Sequence, residues 1–67
     1  MLTWDDSYAL ARALQERHAH IHLEEVSLGM IYRWVLELPE FSDDPQLAND
    51  DILVAIVQEW FEERNPL

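Results

Sequence analysis

Cysteine and lysine are both absent from this 67-residue chain, glycine occurs once, and four arginines are its only fixed cations. Each shortage removes a class of function. Without thiols there is no disulfide, no thiolate zinc site, no thiolate set for a cluster and no cysteine nucleophile. A single glycine cannot build a phosphate-cradling loop, and none of Ser7, Ser27 and Ser42 stands in a Gly-x-Ser-x-Gly elbow. Neither His-Glu-x-x-His nor Glu-x-x-His occurs, and the acids lack the alternating spacing of a helix–loop–helix calcium site. No catalytic residues, and so no enzyme, are expected.

The shortage of positive charge excludes more. Fourteen Asp and Glu face four Arg, for a formal charge of −10. Binding nucleic acid or an anionic membrane requires cations to displace counterions from phosphates, so neither is an expected partner. Arg33 on a short helix does not replace the basic patch that a DNA-reading helix needs. No apolar run is long enough to cross a bilayer, and Met1-Leu2-Thr3-Trp4-Asp5 resembles no signal peptide. A cytoplasmic monomer is expected. So acidic a chain suits a basic protein partner or a hard cation.

What is present argues for folding rather than disorder. Hydrophobic residues make up 49% of the chain and recur in helical register. At this length a single core, residues 1–67, supplies only about 3–5 kcal/mol of net stability. The aromatic residues Trp4, Trp34, Trp60, Phe41 and Phe61 are expected to carry much of it.

Thr3, Asp5 or Asp6 is placed to cap a first helix over Asp5–Arg17, with Leu10, Ala13 and Leu14 as its buried stripe and Trp4 folding back as a staple. His18-Ala19-His20-Ile21-His22 reads as an extended link with Ile21 inward. Leu23 and Val26 share one face of a short helical turn. Gly29 is the expected site of an unusual backbone angle. Ile31, Trp34, Val35 and Leu38 then define a helix over Met30–Leu38 that Pro39 stops, with Tyr32, Arg33 and Glu37 facing outward. Asn49 is the expected N-cap of a last helix whose stripe is Ile52, Leu53, Ile56, Val57, Trp60 and Phe61, ending at Asn65-Pro66. The fold class is therefore all-α: two longer helices, one shorter helix and one helical turn.

Two groups of side chains carry chemistry. His18, His20 and His22 have the spacing of a metal tract, although a solvated polar link is the plainer reading. Glu40-Phe41-Ser42-Asp43-Asp44-Pro45 puts one aromatic anchor among acids. Taken singly, Asp43 and Asp44 suit a turn and Asp50 and Asp51 suit a helix N-terminus. Taken together with Glu37 and Glu40, they crowd one region, where like charges are relieved by a cation. Glu62 and Glu63 oppose the C-terminal dipole of the last helix, a local cost that points to a surface used for binding.

These residues have a counterpart. Trp4 with Asp6-Ser7, Ala13-Leu14, Val26, Trp34, Leu38, Phe41-x-Asp43-Asp44-Pro45, Asn49, Ile52-Leu53-x-Ala55-Ile56 and Trp60 resemble the IscX (YfhJ) family of acidic accessory proteins in iron–sulfur cluster assembly. The resemblance implies a small winged-helix-like domain and a role beside cysteine desulfurase, with ferredoxin or the scaffold of the same pathway as further partners. It also implies no tightly bound cofactor, and ferrous iron held only weakly. On that reading the metal-facing residues are Glu40, Asp43, Asp44, Asp50 and Asp51. The partner-facing residues are Asp5, Asp6, Glu37, Glu40, Asp43, Asp44, Glu59, Glu62 and Glu63. The chain departs from the family at Leu28-Gly29-Met30, where an acidic helix cap is usual, and at Ser42, where the family has a third acid. An acidic module for an unrelated basic partner is the alternative.

Overall fold

The computed structural model describes residues 1–65. Among them the order is α1 (Ser7–Arg17), a 3₁₀ turn at Leu23–Glu25, α2 (Leu28–Glu37), a second 3₁₀ turn at Pro45–Leu47, and α3 (Asp50–Arg64). The described residues contain no strand; the nearest thing is one parallel bridge between Leu2 and Phe41. The domain is all-α, with one helical turn more than the sequence pattern implied. That second turn begins at Pro45, whose fixed φ suits a first helical position, and Asp44 caps it through Gln46 N–H.

The helices form where local chemistry favours them. In α1, Leu10, Ala11, Ala13 and Leu14 are buried, the small alanines letting α3 approach closely. Asn49 caps α3 by accepting from Ile52 N–H at 2.9 Å. Asp50 and Asp51 then lie in the favourable first turn. Leu53, Ile56 and Trp60 are the fully inward positions of α3, and Ile31, Val35 and Leu38 those of α2 and its end. With Trp4, Leu23 and the α1 stripe they make one continuous core. Full burial of each such side chain stabilises by roughly 1.5–3 kcal/mol against exposure, which a chain this short needs.

Several expectations are corrected. The first helix starts at Ser7 rather than Asp5, because Asp6 turns its carboxylate backwards to Thr3 N–H and Oγ1 (2.9 and 3.3 Å) and makes no side-chain cap. Gly29 adopts no positive φ: it sits in the first turn of α2. That helix begins two residues earlier than Met30 because Ser27 caps it, accepting from Met30 N–H at 3.2 Å. A serine thus replaces the acidic cap. Tyr32 does not face outward; its ring stacks on Trp4. Phe61, expected in the core stripe, is 40% exposed. Trp34 is only partly covered, and its outer face stacks against His18 at 4.0 Å.

Arg64 closes the structure from the last turn of α3. Its Nε donates to Gln15 Oε1 (2.8 Å), the same oxygen that accepts from the Trp60 indole (2.6 Å). Its remaining nitrogens donate to the carbonyls of His18 (3.1 Å), Ala19 (2.9 Å) and Ile21. One guanidinium therefore satisfies carbonyls at the open C-terminal end of α1 and fixes the path of the link that follows, a use its planar fork of donors suits.

Gly29 is helical, and a Cβ there would meet only Ser27 Oγ at 3.8 Å, an ordinary contact. Gly29→Ala is therefore expected to stabilise the fold by about 0.4–1 kcal/mol, a rise of several degrees in Tm for a domain this small. A lowered Tm would mean that α2 does not begin before Met30.

Candidate acidic docking surface

The acidic loop is built on Trp4. Leu2 N–H donates to the Glu40 carbonyl, and Ser42 N–H donates to the Leu2 carbonyl, both at 2.8 Å. These bonds lay the N-terminal segment along the loop. Trp4 follows, 3% exposed, and its indole N–H donates to the Asp44 carbonyl at 2.8 Å. Its ring lies parallel to Tyr32 (3° between planes, centroids 5.9 Å apart) and meets the edge of Phe41 at 4.7 Å. Tyr32 hydroxyl reaches the Pro45 carbonyl at 3.4 Å. The expected aromatic anchor, Phe41, is thus one of three rings beneath the loop.

Within that frame the acids divide. Asp43 is half-buried; its Oδ2 accepts from Trp4 N–H (3.1 Å) and its Oδ1 from Asp44 N–H (2.7 Å). Asp44 is exposed, although one oxygen accepts from Gln46 N–H at 2.9 Å. Asp6 is half-buried against Thr3. By contrast Asp5, Glu37, Glu40, Asp50, Asp51 and Glu62 are exposed, with Glu59 and Glu63 partly so. The bridge brings Asp5 and Asp6 to the loop side. It does not bring Glu59, Glu62 and Glu63 there: from Asp50 to Glu63 the α3 axis rises about 20 Å, so the partner-facing acids occupy two poles.

Among the described residues little of this charge is paired. Among the described residues the one ion-pair contact is His22 Nδ1 to Glu24 at 3.8 Å, with both side chains well exposed. Arg64 is committed to carbonyls, and Arg12 lies over the Tyr8 ring at 6.0 Å. Nor do the acids gather into a cage. Among the described residues no three His, Asp or Glu side chains stand together at metal-binding spacing. Asp43 already accepts from backbone N–H groups on both oxygens. The three histidines are likewise dispersed, with His18 against Trp34 and His20 and His22 in solvent.

The structural partners of the loop escaped sequence reasoning for a physical reason. Trp4 and Asp44 are forty residues apart, and a side chain bonded to a distant backbone carbonyl leaves no periodic trace. Trp4 did signal itself as a large apolar group with an N–H requiring a partner when buried.

Two measurements check this geometry. Asp43→Ala leaves the N–H groups of Trp4 and Asp44 without their acceptor. It is expected to destabilise by about 1–3 kcal/mol in urea unfolding, against less than about 0.5 for exposed Asp51→Ala. Equal, small effects would show that Asp43 does not hold the loop. His18 is pushed below its ordinary pKa of 6.5, chiefly by burial, with Arg17 adding to the shift and Glu37 opposing it. The folded state thus favours neutral imidazole, and the unfolded chain binds the proton more readily. Stability from this residue is present above pH 6.5 and is lost as pH falls through the folded pKa. His18→Phe, which retains a stacked ring, should lose less stability than the wild type between pH 7 and 5; identical pH profiles would contradict this.

The frame lies within the stretch over which the chain matches known proteins. Residues 2–65 match the family described as iron–sulphur cluster assembly. The uncharacterized protein PA3808 of Pseudomonas aeruginosa is 42% identical over 64 residues, spanning 96% of this chain and 97% of the relative. No helix among the described residues is long and apolar enough to cross a membrane. With the family match running from Leu2, at the bridge, to Asn65, just beyond the Arg64 clamp, the chain belongs to the iron–sulfur cluster assembly family, the IscX (YfhJ) family.

Proposed function

We propose that this protein is a non-catalytic cytoplasmic adaptor that docks its acidic surface onto a basic patch of cysteine desulfurase and tunes sulfur delivery. The observation that carries the reading is the unneutralised surface: fourteen acids in the chain, and among the described residues no contact between an arginine and a carboxylate. Left in water, that charge costs the fold through self-repulsion. Against a cationic partner it accelerates encounter and fixes orientation. The loop pole supplies Asp5, Glu40, Asp44, Asp50 and Asp51 to this docking, on a backbone already held by Trp4, while Glu37 stands nearer His18.

Ferrous iron enters the same reading as cargo. Glu40, Asp44, Asp50 and Asp51 offer exposed hard oxygens, and carboxylates that are not gathered into a cage support weak, water-rich binding. Asp43 contributes by holding the loop. The family match supports a place in cluster assembly; ferredoxin or the scaffold of the same pathway is a further candidate partner.

The test is binding of purified desulfurase at low and high salt, with Glu40→Gln, Asp50→Asn and Asp51→Asn combined as the loop variant. At about 0.5 kcal/mol per exposed charge, the variant should weaken low-salt affinity roughly tenfold and flatten the salt dependence. Binding indifferent to both salt and charge would sink the docking proposal. An anaerobic ferrous titration of the same variant, followed by NMR line broadening, addresses the cargo. Broadening unchanged from the wild type would remove Glu40, Asp50 and Asp51 from the iron-facing set.

A further inference from the structure

The second acidic pole has a shape of its own. Between the end of α1, the Leu23–Glu25 turn and the last turn of α3 lies an open groove of about 620 Å³, lined among others by Gln15, Leu23, Glu24, Phe61, Glu63 and Arg64. That volume falls within the range of roughly 300–1,000 Å³ typical of sites for small groups. Its apolar wall is Phe61, 40% exposed, and behind that Leu23, which is buried.

The charge facing the groove is negative although an arginine lines it. Arg64 directs its donors to Gln15 and to the carbonyls of His18, Ala19 and Ile21. These neutral acceptors occupy its donors without cancelling its charge, so Glu24 and Glu63 together leave the groove net negative by one. Glu63 has no cationic side chain paired with it among the described residues, and Glu24 has only His22 at 3.8 Å. Glu63 also lies at the C-terminal end of α3, where a carboxylate opposes the helix dipole.

An aromatic face beside two carboxylates that arrive from elements nearly forty residues apart suits one kind of occupant. An anion would meet repulsion, and a neutral apolar group would desolvate carboxylates without compensating them. A side chain with an apolar stem and a cationic head satisfies both walls, and guanidinium adds stacking on an aromatic ring. The geometry points to this groove as a receptor for an arginine side chain protruding from a basic protein partner. It is a second point of attachment about 20 Å along α3 from the loop pole. The inference deepens the docking reading by naming what the second pole recognises, and it rests on that reading for the identity of the partner.

The experiment has two arms, each using the whole chain. In the first, Nα-acetyl-arginine amide is titrated at low salt against the ¹⁵N-labelled protein, with Nα-acetyl-norleucine amide as the neutral control. Shifts confined to the amides of Gln15, Ala19, Leu23, Phe61 and Glu63, absent with the control and lost in Phe61→Ala/Glu63→Gln, are expected. Shifts centred on residues 40–51, or spread evenly over the acids, overturn the groove.

In the second arm, desulfurase affinity is measured for Phe61→Ala/Glu63→Gln beside the loop variant. A weakening of fivefold or more in both supports two-pole docking. Weakening in the loop variant alone overturns the groove and leaves the docking reading intact. Weakening in neither overturns the docking reading, and the arginine titration then decides the groove by itself. Phe61→Leu, which retains bulk without the aromatic face, covers the case in which the alanine variant loses its fold: full affinity there contradicts the stacking wall.

Discussion

The indole of Trp4 is the point on which the acidic loop depends. A buried N–H without a partner costs on the order of 1–3 kcal/mol, and this one finds its acceptor in the Asp44 carbonyl, forty residues along the chain. The same residue's backbone N–H finds Asp43, and its ring is flanked by Tyr32 and Phe41. Loop closure over such a span is entropically costly. It is offset because several interactions form together: the Leu2–Phe41 bridge, the Asp43 carboxylate and Asp44 carbonyl as acceptors for Trp4, and three packed rings. A surface of like charges would otherwise favour an open, mobile segment; here it is presented on a defined backbone.

Arg64 does the corresponding work at the other end. With only four arginines and no lysine in the chain, one of the few cations is directed inward to carbonyls rather than to any of fourteen carboxylates. Backbone that would be left open after α1 is satisfied, while among the described residues the carboxylates stay unpaired with arginine. The fold and the charge distribution are thus two results of the same allocation of cations.

Much of the fold was legible in the sequence, for reasons that can be named. Helical periodicity marked Leu10 and Leu14, Ile31 and Val35, and Leu53, Ile56 and Trp60, because core burial acts on the same spacing that the pattern reads. Asn49 announced its helix by local chemistry. What escaped was non-local or a competition between local rules. Gly29 suggested a break, but Ser27 capped the helix just ahead of it and the glycine was carried inside. Tyr32 looked outward on the wheel, yet the N-terminal segment laid Trp4 over it. Of the candidate site, the exposure of Glu37, Glu40, Asp50 and Asp51 was readable from polarity. The inward engagement of Asp43 and the separation of Glu62 and Glu63 from the loop required the tertiary arrangement.

The acidic loop is a fixed part of the fold rather than a flexible charged segment. Native-state hydrogen exchange tests it most directly, at the Trp4 indole N–H and at the Leu2, Trp4 and Ser42 amides. If the clasp holds, these protons open only with the larger cooperative unit, and their protection approaches that of core amides such as Leu14 and Ile56. Exchange at rates close to those of an unstructured peptide, with the helices still protected, would contradict it.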